Sequence, residues 1–212
     1  MKKFFLFTLL AALIVPIAAQ AQFNIGAKFG LNFGTISYDP EPFTAGSGVT
    51  KSGKTGFAFG ADAEFGFAGM FYVVAQPRYI MKGNSFEQGT AKLTRSLSEM
   101  EIPIYFKVKF LKAPVRPYGF LGPNIGIVLS AKDKYEGTQQ DGEVDMKDQT
   151  SGMDFSLDFG GGAEFWVAPK VAITGDVRYS MGLSNLIKNP VQNASAKSRG
   201  FQLAFGVLIT VG

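Results

Sequence analysis

Carboxylates and amines carry whatever chemistry this chain could perform. Its 212 residues include no histidine and no cysteine. That removes the commonest general base and metal ligand, the thiolate nucleophile and every disulfide. What remains is a set of acids and bases at strand-like spacings. Eight acids (Asp62, Glu64, Glu99, Glu101, Asp154, Asp158, Glu164 and Asp176) stand among six bases, Lys28, Arg78, Lys82, Lys107, Lys109 and Arg178. A spacing of two or four places side chains on one face of a strand. Paired carboxylates of unequal pKa can act as general acid and base. The same arrangement also serves a buried ionic network, in which each charge needs a partner. The structural network is the expected role, with a narrow ion path and carboxylate chemistry as its alternatives.

Two further patterns suggest chemistry and lack its context. Gly48 to Thr55, GVTKSGKT, satisfies the phosphate-loop pattern G-x-x-x-x-G-K-[ST]. That mechanism needs a buried strand before the loop and a helix N-terminus after it. Here Asp39-Pro40-Glu41-Pro42 lies upstream and an alternating apolar pattern downstream, so an exposed loop is expected and no cofactor is implied. Asp133, Glu136, Asp141, Glu143, Asp145 and Asp148 concentrate acid in one polar stretch. Carboxylates suit hard cations, but no EF-hand spacing is present; a solvated loop without metal is expected.

The elements that must position the charged set announce themselves by a period of two. Phe23, Ile25, Ala27, Phe29, Leu31 and Phe33 alternate with Asn24, Gly26, Lys28, Gly30, Asn32 and Gly34, the pattern of a strand with unlike faces. Eight such stretches are expected, at 23–36, 56–67, 71–83, 97–110, 117–130, 154–167, 171–183 and 200–211. Three connections are tight: 68–70, 111–116 and 168–170. Four are long and polar: 37–55, 84–96, 131–153 and 184–199. Long and short connections alternate strictly. An antiparallel up-and-down meander then gathers the long loops at one end and both termini at the other. Bacterial outer-membrane barrels have an even strand number and this asymmetry of loops. Eleven residues at about 3.3 Å, tilted by roughly 40°, rise about 28 Å, enough to span the apolar band.

The faces decide the solvent. Phe57 to Phe67, Phe71 to Met81, Met100 to Phe110, Leu121 to Leu129, Phe155 to Val167, Val171 to Met181 and Phe201 to Val211, taken every second residue, carry no charge. Each Lys or Arg on a lipid face costs about 2–4 kcal/mol at the midplane. A soluble, lipocalin-like barrel would need these side chains inside, and an eight-stranded lumen has no room for so many Phe. Membrane outside and an ionic network inside is the expected arrangement. Phe23, Phe67, Phe71, Phe110, Tyr118, Phe165 and Trp166 are expected to form an interfacial girdle. Tyr118 and Phe120 fall out of phase with Leu121 to Leu129, so a bulge is expected near Gly119 or Gly122.

Residues 1–21 read as a cleavable signal peptide: Met-Lys-Lys, a short apolar run broken by Pro16, then Ala19-Gln20-Ala21. Residues 22–212 are then one exported barrel domain. Without Lys2 and Lys3 the 21 basic residues fall to 19, against 17 acidic ones. No basic cluster suits nucleic acid.

The segment MEIPIYFKVKF, Met100 to Phe110, followed by RPYGFLGPNIGIVLSAK, Arg116 to Lys132, resembles the centre of the PorT-type outer-membrane β-barrel family. DFGGGAEFWVAPKVAITGDVRYSMGLSNL, Asp158 to Leu186, resembles its sixth and seventh strands. The resemblance implies a small outer-membrane barrel of about eight strands, similar to OmpX/OmpA-like barrels, and little chemistry. The expectation is a non-enzymatic, monomeric barrel that anchors four extracellular loops in the bacterial outer membrane. Its partners would be outer-membrane lipid, the assembly machinery during biogenesis and something unknown that the loops contact. A narrow passive pore is the alternative.

Overall fold

Alternating side chains let one backbone serve two environments, and the chain pairs accordingly. The computed structural model describes residues 22–43, 47–67, 69–110, 114–138, 141–190 and 193–211. Among them run β1 (Gln22–Asp39), β2 (Thr50–Phe67), β3 (Phe71–Ala75), β4 (Arg78–Gln88) and β5 (Ala91–Lys109). Then follow β6 (Val115–Glu136), β7 (Gly142–Asp145), a 3-10 turn at Lys147–Gln149, β8 (Met153–Ala168), β9 (Val171–Gly182) and β10 (Ser195–Thr210). The expected signal peptide lies outside the described residues.

β3 and β4 are two halves of one strand path, parted at Gln76 and Pro77. Pro77 has no N–H to give a ladder, yet its carbonyl accepts from Ala61 N at 3.0 Å, and Gln76 N donates to the Pro103 carbonyl at 3.1 Å. The sheet therefore stays continuous across the break. With β7 as a short appendage of β6, eight strand paths remain, each antiparallel to the next. β10 returns to β1 from Asn24↔Thr210 to Asp39↔Ser195, which closes the ring. The fold is an all-β, eight-stranded up-and-down barrel, and closure removes the edges that would template aggregation.

The outer wall is apolar. Phe29 stands between Phe59 and Phe205, and Phe33 opposite Phe201; Phe205 is 65% exposed. Tyr179 packs between Phe159 and Phe201, with ring centroids 5.5 and 4.8 Å apart. The short-turn end differs from expectation at two residues. Phe23, Phe110 and Phe165 face outward, but Trp166 lies on the phase of Glu164, opposite Ala172 and half-buried under Arg116, and Tyr118 turns inward and is buried. Phe120 turns inward like Tyr118. No bulge forms at Gly119 or Gly122: the pairing from Val115↔Phe165 to Ile127↔Met153 keeps one register. Tyr118 and Phe120 belong to the inward phase, where room exists because Gly160 faces Phe120 with a hydrogen in place of a Cβ that would sit 2.8 Å from the ring. The register shift lies further on, where Ser98↔Ser130 is followed by Glu99↔Val128 and Leu129 is the extra residue.

The strands also outrun their expected ends. The stretch 84–96 is not a loop but a hairpin that pairs from Asn84↔Arg95 to Gln88↔Ala91. Gly89, at φ +60°, makes its two-residue turn. The phosphate-loop look-alike is likewise no loop: Thr50 to Gly53 pair with β4, and no helix follows. β6 continues to Glu136 and β7 pairs back onto it.

Candidate functional site

Every residue of the expected charged set projects into the lumen, on even positions of β1, β2, β4, β8 and β9 and odd positions of β5. All are buried except Lys28, whose side chain is 10% exposed. At the short-turn end Lys107 and Lys109 meet Glu64 and Glu164 in a four-membered cluster, with nitrogen–oxygen distances of 2.5 and 3.2 Å for Lys107 and 2.8 and 2.7 Å for Lys109. Lys107 also lies over the Tyr118 ring, 3.8 Å from its centroid. Midway, Lys28 bridges Asp62 at 3.1 Å and Asp176 at 2.7 Å, while Arg178 meets Asp176 at 3.0 Å. Arg78 bridges Glu101 at 2.5 Å and Asp158 at 2.8 Å. Toward the long loops Lys82 reaches Glu99, Glu101 and Asp154 at 2.8, 2.6 and 3.2 Å. Gly126 makes space there, since a Cβ would stand 2.6 Å from Glu99 Oε2.

Acids outnumber bases in this set, and neutral donors absorb the difference. The Tyr105 and Ser180 hydroxyls donate to Asp158 at 2.8 and 2.7 Å. Tyr118 donates to Asp176 at 3.0 Å, and Ser184 and Ser198 to Asp154 at 2.9 and 2.6 Å. Gln76 donates to Asp62 and accepts from Arg178. Sequence reasoning missed these neutral members. Their signal was present: Gln76, Tyr105, Tyr118 and Ser180 sit on the same inward phase as the charges. Buried charges survive only when paired and hydrogen-bonded. Each of these charges has an ion-pair partner, while Glu99 Oε1, Glu164 Oε2 and Arg178 Nε are left without a hydrogen bond among the described residues. Crevices beside Arg78 and Arg178 hold about 10 Å³ each, at most one water.

Above the Lys82 layer the interior changes character. Leu97 lies two positions outward of Glu99, and Ala196 two outward of Ser198. With Ile36, Val128, Ala131 and Leu186 they form a buried apolar cluster. It floors an open cup of about 390 Å³. The walls are pinned, not loose. Thr150 bridges to Ile187, Ser151 N donates to the Leu186 carbonyl at 2.7 Å and Leu186 N to the Ala196 carbonyl at 2.8 Å. Asn185 Oδ1 accepts from both Ile187 N and Ala196 N, at 3.0 and 2.9 Å. At the rim Arg95 grips Asp133 with two nitrogens and donates to the Tyr38 hydroxyl at 3.0 Å. This bidentate carboxylate raises the Arg95 pKa further, and burial raises that of Tyr38.

The acidic stretch is dispersed over separate pairs: Asp133 to Arg95, Glu143 to Lys132, Glu136 to Lys134. Asp141 accepts from Thr138 N at 2.8 Å, which holds its pKa below the usual aspartate value. Among the described residues no three acids converge as a metal site.

The fold has counterparts. The structure of Neisserial surface protein A is similar over 90% of this chain and 99% of that one, with 16% identity and a TM-score of 0.51. The outer membrane protein OprG from Pseudomonas aeruginosa is similar over 90% and 96%, with 12% identity and a TM-score of 0.52. At such identities the likeness concerns the fold. No curated protein matches the chain in sequence. Residues 18–188 match the family model described as "Outer membrane protein beta-barrel domain", which covers all the strands but β10, and the chain therefore belongs to that family of outer-membrane β-barrels.

Proposed function

We propose that this protein is a non-enzymatic anchor of the bacterial outer membrane whose lumen is a sealed ionic core and whose working surface is its outer rim. The observation that carries the reading is the stack of three ion-pair clusters, around Lys82 and Arg78, around Lys28 and Arg178, and around Lys107 and Lys109. They are joined by the Tyr105 hydroxyl and by Tyr118, beside crevices too small for more than a water. The fourteen lumen charges are structural on this reading. Single replacement of Glu99, Glu101 or Asp176 should alter stability and leave no turnover to lose. The rim is built for display: the β4–β5 hairpin and the β6–β7 pair extend the sheet beyond the apolar belt and expose Tyr135 and Val144.

Within the family the chain is of the PorT type, a reading supported by Met100 to Lys132. It is exported by the signal peptide at 1–21, inserted by the assembly machinery and monomeric in lipid. The competing reading is a narrow passive pore, which the surplus of lumen acid would make cation-selective. Planar-bilayer recordings of the purified mature protein separate the two. The anchor predicts no steady open state; a steady ohmic conductance would overturn the seal. Fractionation with heat-modifiable gel mobility tests the compartment.

A further inference from the structure

We infer that the cup at the long-loop end binds a small uncharged molecule with an aliphatic or alicyclic body and a hydrogen-bonding group at one end. The volume, about 390 Å³, falls in the range of small-molecule pockets. Its floor is aliphatic: Ile36, Leu97, Ala131 and Ala196 come from β1, β5, β6 and β10, and Leu186 from the β9–β10 connection. The floor side chains are themselves buried, with Met146 and Ile187 packed against them. Asn185 ties the β9–β10 connection to Ala196, the Thr150–Ile187 bridge ties wall to wall, and a fixed concavity stays open above the floor.

The charges at the cup define what it excludes. Both cations of its lining are taken, Arg95 by Asp133 and Lys132 by Glu143. An anionic ligand would have to displace the buried Asp133 carboxylate from Arg95, and at Lys132, exposed to water, it would gain little. A cationic one would find Asp148, which is exposed to water, where pairing is worth little. Polar recognition is left to neutral groups of the lining, Gln149 and Asn189 with the hydroxyl residues Tyr38, Ser96 and Thr150. An aliphatic floor with a neutral polar wall selects an aliphatic body with one neutral polar end. The floor also rests on the Lys82 layer, so the cup ends there and captures its ligand without passing it inward.

The test uses the full mature chain in lipid nanodiscs with carbon-labelled Ile and Leu methyl groups. Cyclohexanol is titrated in, with cyclohexanecarboxylate and cyclohexylammonium as charged counterparts. Saturable shifts at the methyls of Ile36, Leu97 and Leu186 are expected for cyclohexanol alone, while lipid-facing Ile25, Ile104 and Ile173 drift linearly as the probe enters the bilayer. Filling the cup with Ala131→Trp should weaken binding about tenfold or more. If that variant loses the heat-modifiable band of a folded barrel, Ile187→Trp on the wall provides the same test. Shifts that never saturate, shifts that match the lipid-facing methyls, or equal binding of a charged counterpart would overturn the inference. It rests on the sealed-lumen reading only in making the cup a terminus. Bilayer conductance reports on that seal separately, so a failure of either is distinguishable.

Discussion

Lys28 Nζ lies 2.7 Å from the Asp176 carboxylate, although 148 positions separate the two residues. β10 stands between their strands in the ring, so the contact reaches past β10 inside the lumen instead of following a ladder. Asp176 also holds Arg178. Asp176→Asn keeps the shape and strips two cations of a carboxylate. Leaving buried charge without its partner costs about 3–5 kcal/mol. The urea midpoint of the barrel in lipid vesicles should fall accordingly, and an unchanged midpoint would contradict a structural role.

The cluster at the short-turn end allows a sharper comparison. Glu64→Gln leaves Lys107 and Lys109 sharing Glu164 alone. Adding Lys109→Met leaves one matched pair, Lys107 with Glu164 at 3.2 Å. The double variant should therefore be more stable than the single one, because the uncompensated charge has gone with its side chain. A double-mutant cycle of unfolding free energies reads this out. Additive losses would argue against a shared network.

On the opposite face the same charge has the opposite consequence. Ile104 faces outward on β5, near the middle of its apolar stretch. Ile104→Arg should destabilise the folded barrel by about 2–4 kcal/mol, seen as a lower yield of the heat-modifiable form. Leu129→Arg, near the long-loop end of the belt, should cost about 0–1 kcal/mol.

Outside the membrane, Asp141 gives a pH signature. Hydrogen bonds from the Thr138 backbone and hydroxyl favour its ionised form, and its folded pKa is depressed. A depressed carboxylate contributes order above its unfolded pKa and loses it as pH falls through the folded value. The Thr138 amide resonance should stay constant at neutral pH and titrate with a midpoint below that of a free aspartate. Asp141→Asn should abolish the transition.

How much of this was legible depends on where contrast exists. Between lipid and lumen, side chains must differ from one residue to the next, so Phe29 and Lys28 declare their faces. Beyond the belt the outer face of a strand meets water instead of lipid, and the contrast between the faces weakens. Ser96 and Lys134 therefore read as loop although both lie in paired strands. Tyr118 and Phe120 misled for the reverse reason: aromatic residues suit either environment, and here they lie under Lys107 and Arg178 inside. The cup was hidden because half of it is tertiary. Ile36 and Leu97 are apolar residues on a polar phase, a visible anomaly. Leu186 and Met146 join them from irregular segments whose position no periodicity encodes.

Pairing between strands that are not neighbours also bears on how the barrel enters a membrane. Lys28 on β1 waits for Asp176 on β9, and Lys107 on β5 needs Glu164 on β8. The β1–β2 and β4–β5 hairpins pair some of their own charges, as Lys28 with Asp62 and Arg78 with Glu101. Lys107, Lys109 and Glu164, however, find partners only on strands of other hairpins, and buried charge without a partner is costly. Pairing of β10 with β1 closes the ring and brings Asp176 on β9 within reach of Lys28, so closure is what completes the pairing of these charges.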